Sequence, residues 1–115
     1  MNGVADCLFC RIAGGKIPSK KVFEDGDVLA FHDINPAAPV HFLIIPKSHV
    51  DSLLTSGSEH DAVLSKMVSL AARLATEQGC DNGFRLVINN GPDGGQEVNH
   101  LHIHILGGPR PWKRL

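Results

Sequence analysis

Three histidines at alternate positions, His100, His102 and His104, carry the densest chemistry in this chain. They lie in the stretch His100-Leu-His-Ile-His-Ile-Leu106, whose period of two belongs to a β-strand. The imidazoles then share one face, while Leu101, Ile103 and Ile105 share the other and face a core. Imidazole titrates near neutral pH, so such a row can bind a metal, attack an electrophile or relay a proton. Strict alternation by three of the seven histidines argues against a surface strand that carries them by chance. Spacing alone leaves two chemistries open. One is a metal site built from the three rings. The other is a nucleophilic histidine with a helper on each side.

Four other stretches carry candidate groups. Asn90-Gly-Pro-Asp-Gly-Gly-Gln-Glu97 runs directly into the triad strand. Its glycines allow backbone N–H groups to turn inward as an anion-binding nest, although many such loops are plain hairpins. Asp33 ends an apolar run just before Ile34-Asn35-Pro36, where a carboxylate commonly caps a turn. His41 is the only polar side chain at the start of His41-Phe-Leu-Ile-Ile-Pro46, and reads from sequence as a core histidine with one hydrogen bond. Cys7-Leu-Phe-Cys10 is half of a tetrahedral zinc set, a redox pair or a chance spacing. The thioredoxin-like βαβ context of a redox pair is missing.

The elements that must position these groups follow from periodicity and turn chemistry. Leu8, Phe9 and Ile12 predict a short amphipathic helix stopped at Gly14-Gly15. Strands are expected around Val22 to Glu24 and over Val28–His32, joined by a hairpin at Asp25-Gly26. His41–Pro46 reads as a central strand and Phe84–Asn89 as another. Between them Ser56-Gly-Ser-Glu59 fits a capping box, and the helix it opens reaches Gln78 with Gly79 beyond. Val63, Leu64, Met67, Val68, Leu70, Ala71, Leu74 and Ala75 form its apolar stripe. The expected fold is therefore α+β: an antiparallel sheet of about five strands, one long helix on it and a short N-terminal helix.

The 115 residues suit one domain, residues 1–115, with no room for a second. Eleven Lys and Arg against twelve Asp and Glu give a net charge of −1, which provides no footprint for duplex nucleic acid. No apolar run approaches the ~20 residues of a membrane span. The first residues lack the charged and apolar regions of a signal peptide, and three cysteines make no disulfide framework. A cytoplasmic location is expected, with no membrane partner.

His-x-His-x-His followed by two apolar residues resembles the signature of the histidine triad (HIT) superfamily. Asp33-Ile34-Asn35-Pro36, His41 to Pro46, and Gly94-Gly95-Gln96 leading into His100 resemble its Hint branch, the histidine triad nucleotide-binding proteins. The similarity runs from Cys7 to Trp112. It implies a homodimer with a sheet continuous across both subunits, and hydrolysis of purine nucleoside 5′-phosphoramidates, or of related acyl-nucleotides, to a nucleoside monophosphate. In this resemblance His102 is the covalent nucleophile, His104 and His41 assist, and His100 is the first triad member. Asp33 would accept from the ribose hydroxyls and Ile34 would pack on the base, beside an apolar slot of Phe9, Ile12 and Phe31. Asn89, Gly95, Gln96 and Glu97, with His102 and His104, would contact phosphate and ribose. Glu97 stands where many Hint proteins have serine, so its backbone is expected to serve with the carboxylate turned outward. No catalytic metal is required. HIT proteins with a similar cysteine pair imply a structural zinc on Cys7, Cys10, His49 and His100. Trp112 would approach the partner's pocket. A diadenosine polyphosphate hydrolase of the Fhit type and a non-catalytic AMP- or GMP-binding module are the alternatives.

Overall fold

A computed structural model of the chain describes residues 6–112. The residues read for a leader at positions 1–5, and positions 113–115 of the tail, lie outside the described residues. Five antiparallel strands form one sheet: β1 (Lys21–Glu24), β2 (Val28–His32), β3 (Val40–Pro46), β4 (Phe84–Val87) and β5 (Ile103–Gly107), in the order β1-β2-β3-β5-β4. A six-residue helix α1 (Leu8–Ala13) precedes them, and a 17-residue helix α2 (Asp61–Glu77) stands between β3 and β4. The α+β class, the strand count and the two helices are as the sequence predicts.

The two faces of the sheet are covered unequally. Alternate residues Val28, Ala30, Phe42, Ile44, Ile103 and Ile105 pack under α2 against Met67, Leu70, Ala71, Leu74 and Ala75. Among the described residues, the intervening Leu29, Phe31, Leu43 and Ile45 have only Phe9 and Ile12 of α1 as buried partners. β2 and β3 are thus buried on both sides, which is why they read as continuous apolar runs rather than alternating ones. On β5 the alternation holds: Ile103 and Ile105 lie in the α2 core, and His104 stands directly opposite Leu43 on the α1 face.

Three local expectations are corrected. The ladder of β5 begins at Ile103, not His100, because residues 100–102 leave the ladder. Leu101 instead donates its N–H to the Val50 carbonyl at 2.7 Å. The Ser56–Glu59 capping box does not form. Ser56 Oγ donates to the Leu53 carbonyl, and the Nδ1 atom of His60 accepts from the Gly57 N–H at 3.0 Å, so a histidine with no predicted role starts the helical segment. Val68 is 54% exposed, since it lies about 100° round the helix from Met67 and outside the cluster that packs on the sheet. Leu70 and Leu74 are both buried within the one chain.

One glycine is dictated by packing. A Cβ on Gly107 would lie 2.2 Å from the sulfur of Cys80, which is itself buried at the end of α2. Gly107→Val should therefore cost about 1–3 kcal/mol by overpacking. Urea unfolding measures it; a midpoint unchanged from the native chain would contradict this account.

Candidate active site

The α1 face opens into a cleft of about 950 Å³, at the upper end of the range for small-molecule sites. Its apolar wall comes from Leu8, Phe9, Ile12 and Phe31, and its polar groups include Asp33, His41, His102 and His104. Ile34 stands on the rim, 92% exposed, a large aliphatic side chain left without protein cover. Asn89, Gly95 and Glu97 close the far side.

Backbone partners fix the proton on each ring. His102 Nδ1 lies 2.7 Å from the carbonyl of His100, which can only accept. Nδ1 therefore carries the hydrogen, and Nε2 keeps a free lone pair. His41 Nδ1 lies 3.0 Å from the Ala37 N–H, which can only donate, so His41 carries its hydrogen on Nε2. That hydrogen faces His104 Nδ1 at 2.9 Å, with an Asp33 carboxylate oxygen 3.4 Å from His41 Nε2. His104 consequently bears its hydrogen on Nε2. The three rings thus have three tautomeric assignments, each set by a fixed neighbour.

The cleft keeps these rings neutral. Burial pushes His104 down to about 4, with the adjacent His102 and His41 adding to the shift. Burial also lowers His41 and His102 below the ordinary histidine value, and the nearby Asp33 carboxylate partly opposes this at both.

The glycine-rich loop is built as a rigid turn. Gly91 and Gly95 take φ of 71° and 77°, a region open to glycine. Gln96 braces the loop: its Oε1 accepts from the Gly91 N–H at 2.8 Å, and its Nε2 donates to the carbonyls of Asp51 and Val98. The Gln96 side chain is thereby committed to the loop itself. Glu97 is exposed and sits on the rim of the cleft, where its carboxylate favours the protonated form of His102.

His100 faces away from this chemistry. It is fully buried, and its Nε2 donates to the Pro46 carbonyl at 2.8 Å. The free Nδ1 points at the sulfurs of Cys7 and Cys10, 3.3 and 3.4 Å away. His49 is arranged likewise, with Nε2 on the Asp51 carboxylate at 2.6 Å and Nδ1 3.2 Å from Cys10 Sγ. Two thiols and two imidazole lone pairs converge within 4.8 Å of one another, which is a group able to hold a metal ion. Donors 2.0–2.3 Å from a tetrahedral ion lie roughly 3.5 Å apart, so the set fits zinc. The outer ring nitrogens bonded to a carboxylate and a carbonyl match the usual support of metal-bound histidine.

A second group, Asp33, His41 and His104, also lies within metal-binding reach. The Ala37 N–H argues against it, because it places the hydrogen of His41 on the inward nitrogen. Among the described residues His102 belongs to neither group, so the three triad rings do not form a common metal site.

Sequence reasoning missed two contributors. Asp51 orients His49, and a His-x-Asp spacing is its only signal. Lys20 lines the cleft as its one lysine among the described residues and gives no signal at all. Trp112 does not line the cleft; its Nε1 donates to the Gly108 carbonyl, and Arg85 and Arg110 stack on its ring.

The HIT domain family model matches residues 14–110. Protein HitA of Neisseria gonorrhoeae is 51% identical over 104 residues, covering 90% of this chain and 97% of that protein. A 14 kDa zinc-binding protein of Brassica juncea is 44% identical over 105 residues, covering 90% and 93%. The 0.95 Å structure of a histidine triad protein from Clostridium difficile superimposes with a TM-score of 0.89 at 50% identity, covering 94% of this chain and 95% of that one. A HIT family hydrolase from Legionella pneumophila gives 0.88 at 46% identity, covering 91% and 95%. The fold and the triad define a histidine triad domain, and the chain belongs to the HIT family.

Proposed function

We propose that the protein is a Hint-type hydrolase of purine nucleoside 5′-phosphoramidates and related acyl-nucleotides. The observation that carries this reading is the free Nε2 lone pair of His102, held in a nucleotide-sized cleft by the His100 carbonyl. The ribose diol would donate to Asp33 and the base would lie on Ile34 and the Phe9 wall. The phosphate would sit between the loop from Asn89 to Glu97 and the Nε2–H of His104.

His102 Nε2 attacks phosphorus, and the phosphorus–nitrogen bond to the amine breaks. The departing nitrogen needs one proton. The His41–His104 pair, with Asp33 beside it, holds that proton once phosphate charge enters the cleft. Water then attacks the nucleotidyl-His102, returns a proton to the pair, and expels His102 as neutral imidazole with Nδ1–H still on the carbonyl. Positioning and charge stabilisation supply most of the rate in phosphoryl transfer, so these residues need no metal.

The relatives' names support the coarser parts of this reading: one is a hydrolase and one is zinc-binding. We place zinc at Cys7, Cys10, His49 and His100, where it would supply a structural cross-link. A homodimer is part of the same proposal. Val68 is 54% and Phe84 37% exposed, and β4 is an unpaired edge of the sheet beside them. A second copy that continues the sheet would cover both. Light scattering of Val68→Asp should then report the monomer where the native chain gives the dimer; a native monomer at micromolar concentration refutes the assembly. Among the described residues no helix is long and apolar enough to cross a membrane. A cytoplasmic location remains part of this reading.

The deciding experiment is a kinetic panel of adenosine and guanosine phosphoramidates beside diadenosine polyphosphates, with and without chelator. Preference for phosphoramidates is expected. Preference for the dinucleotides would make the protein a Fhit-type hydrolase, and binding of AMP without turnover would make it a binding module. The acid side of the pH profile follows from burial. Burial lowers the folded pKa of both His41 and His104, that of His104 to about 4, so each takes up its proton at a lower pH than an ordinary histidine. Unfolded chains bind those protons near 6.5 and the native chain only near 4 at His104, so stability should decline as pH falls through that window. Thermal unfolding between pH 7.5 and 4 checks this; a rise in midpoint on acidification would contradict it.

A further inference from the structure

We infer that metal at Cys7, Cys10, His49 and His100 and nucleotide in the cleft bind with positive coupling, carried by Phe9, His100 and Gln96. This rests on the zinc and nucleotide readings above and goes beyond a metal that merely stabilises the fold.

The two sites share their supports. Cys7 caps the N-terminus of α1 and Cys10 lies in its first turn, and the residue between them that turns inward is Phe9. Its ring meets His100 edge-on at 6.0 Å and His102 at 5.1 Å, while also forming the cleft wall with Leu8 and Ile12. A helix of six residues has no stability of its own, so its position depends on what anchors it. His100 is the second link. Its Nδ1 lone pair points at the thiols, and its carbonyl holds the hydrogen of His102. The third link runs through the other metal-site histidine. His49 is bonded to the Asp51 carboxylate, the Asp51 carbonyl accepts from Gln96, and Gln96 holds Gly91 of the glycine-rich loop. An ion that draws the four donors together therefore fixes the base wall, the nucleophile and the phosphate loop at once. Nucleotide that fills the cleft must by linkage favour the same arrangement of donors.

The test uses the full chain with Zn²⁺ and AMP. AMP affinity is measured by calorimetry on zinc-loaded and on metal-free protein, and zinc affinity by chelator competition with and without saturating AMP. Zinc should tighten AMP binding about fivefold or more, and AMP should tighten zinc by the same factor. The chelator arm starts from loaded protein, so it stands even if the metal-free chain unfolds. Phe9→Ala keeps all four donors. It should still bind one zinc, with the coupling factor falling toward one. A native factor within twofold of one, with zinc bound stoichiometrically, overturns the coupling and leaves both binding readings intact. Failure to bind zinc removes the metal reading and the coupling with it; zinc binding without AMP binding removes the nucleotide reading and the coupling instead. A metal with a purely structural role would raise the melting temperature and leave the factor at one.

Discussion

His102→Gly should abolish phosphoramidate turnover, a loss of at least about four orders of magnitude, while AMP still binds. The groups that would hold the nucleotide, Asp33, Ile34, Asn89 and the Gly95 loop, do not depend on the His102 ring. No other imidazole can replace it. His104 presents a hydrogen to the cleft, not a lone pair, because His41 occupies its other nitrogen. His100 presents its lone pair to two thiols on the far side of Phe9. Rapid acid-free quenching of a slow substrate should trap the nucleotide on His102, and mild acid should release it. His41→Ala and His104→Ala should retain a measurable fraction of the rate, since each removes only proton handling or charge stabilisation. If His102→Gly turns over near the native rate, or the adduct maps elsewhere, the mechanism fails.

Removing the metal should produce the second large effect. Protein purified without chelator should contain one zinc per chain by elemental analysis, and Cys10→Ser should lose it. Binding to the native state but not the unfolded chain adds the metal's binding energy to stability. For a chain of this size a melting temperature lower by 10 °C or more is expected, because each kcal/mol is worth about 4–8 °C in small domains. Loss of order should begin at α1, and hydrogen exchange there should rise before exchange in α2. A metal-free native protein with the same melting temperature would refute the site.

Much of this was legible in the residues. The period of two separated cleft from core over His102–Ile105, because burial beneath α2 permits only apolar groups at Ile103 and Ile105, whereas His100 lies outside the ladder and is buried beside the cysteines. The continuous apolar run of β3 announced a central strand. What escaped was set by contacts between distant segments. Nothing local tells that a carbonyl at residue 100 will settle a ring at 102, or that Ala37 will settle His41. Those assignments turn three similar side chains into a nucleophile, a donor and a relay. Gln96 was expected beside phosphate because the resemblance covers its whole segment, yet its amide spans two loops. The homodimer follows in the sequence only from the resemblance, and the width of the α2 stripe adds nothing to it, since one sheet face buries Leu70 and Leu74 unaided. The exposed Val68 and Phe84 supply the better reason.

The alternation along the strand also makes the count of residues between two fixed points a constraint. Ile103 is held by its place opposite Ile44, and Gly107 by its place opposite Val40 and by the Cys80 sulfur against it. Between them, deletion of one residue reverses parity. His104 would then be driven beneath α2, and an isoleucine would enter the cleft. Deletion of two residues keeps every remaining side chain on its proper side and shortens only the strand. Insertions and deletions in this segment should therefore be tolerated in pairs if at all, and an odd change should be lost to misfolding rather than to poor catalysis.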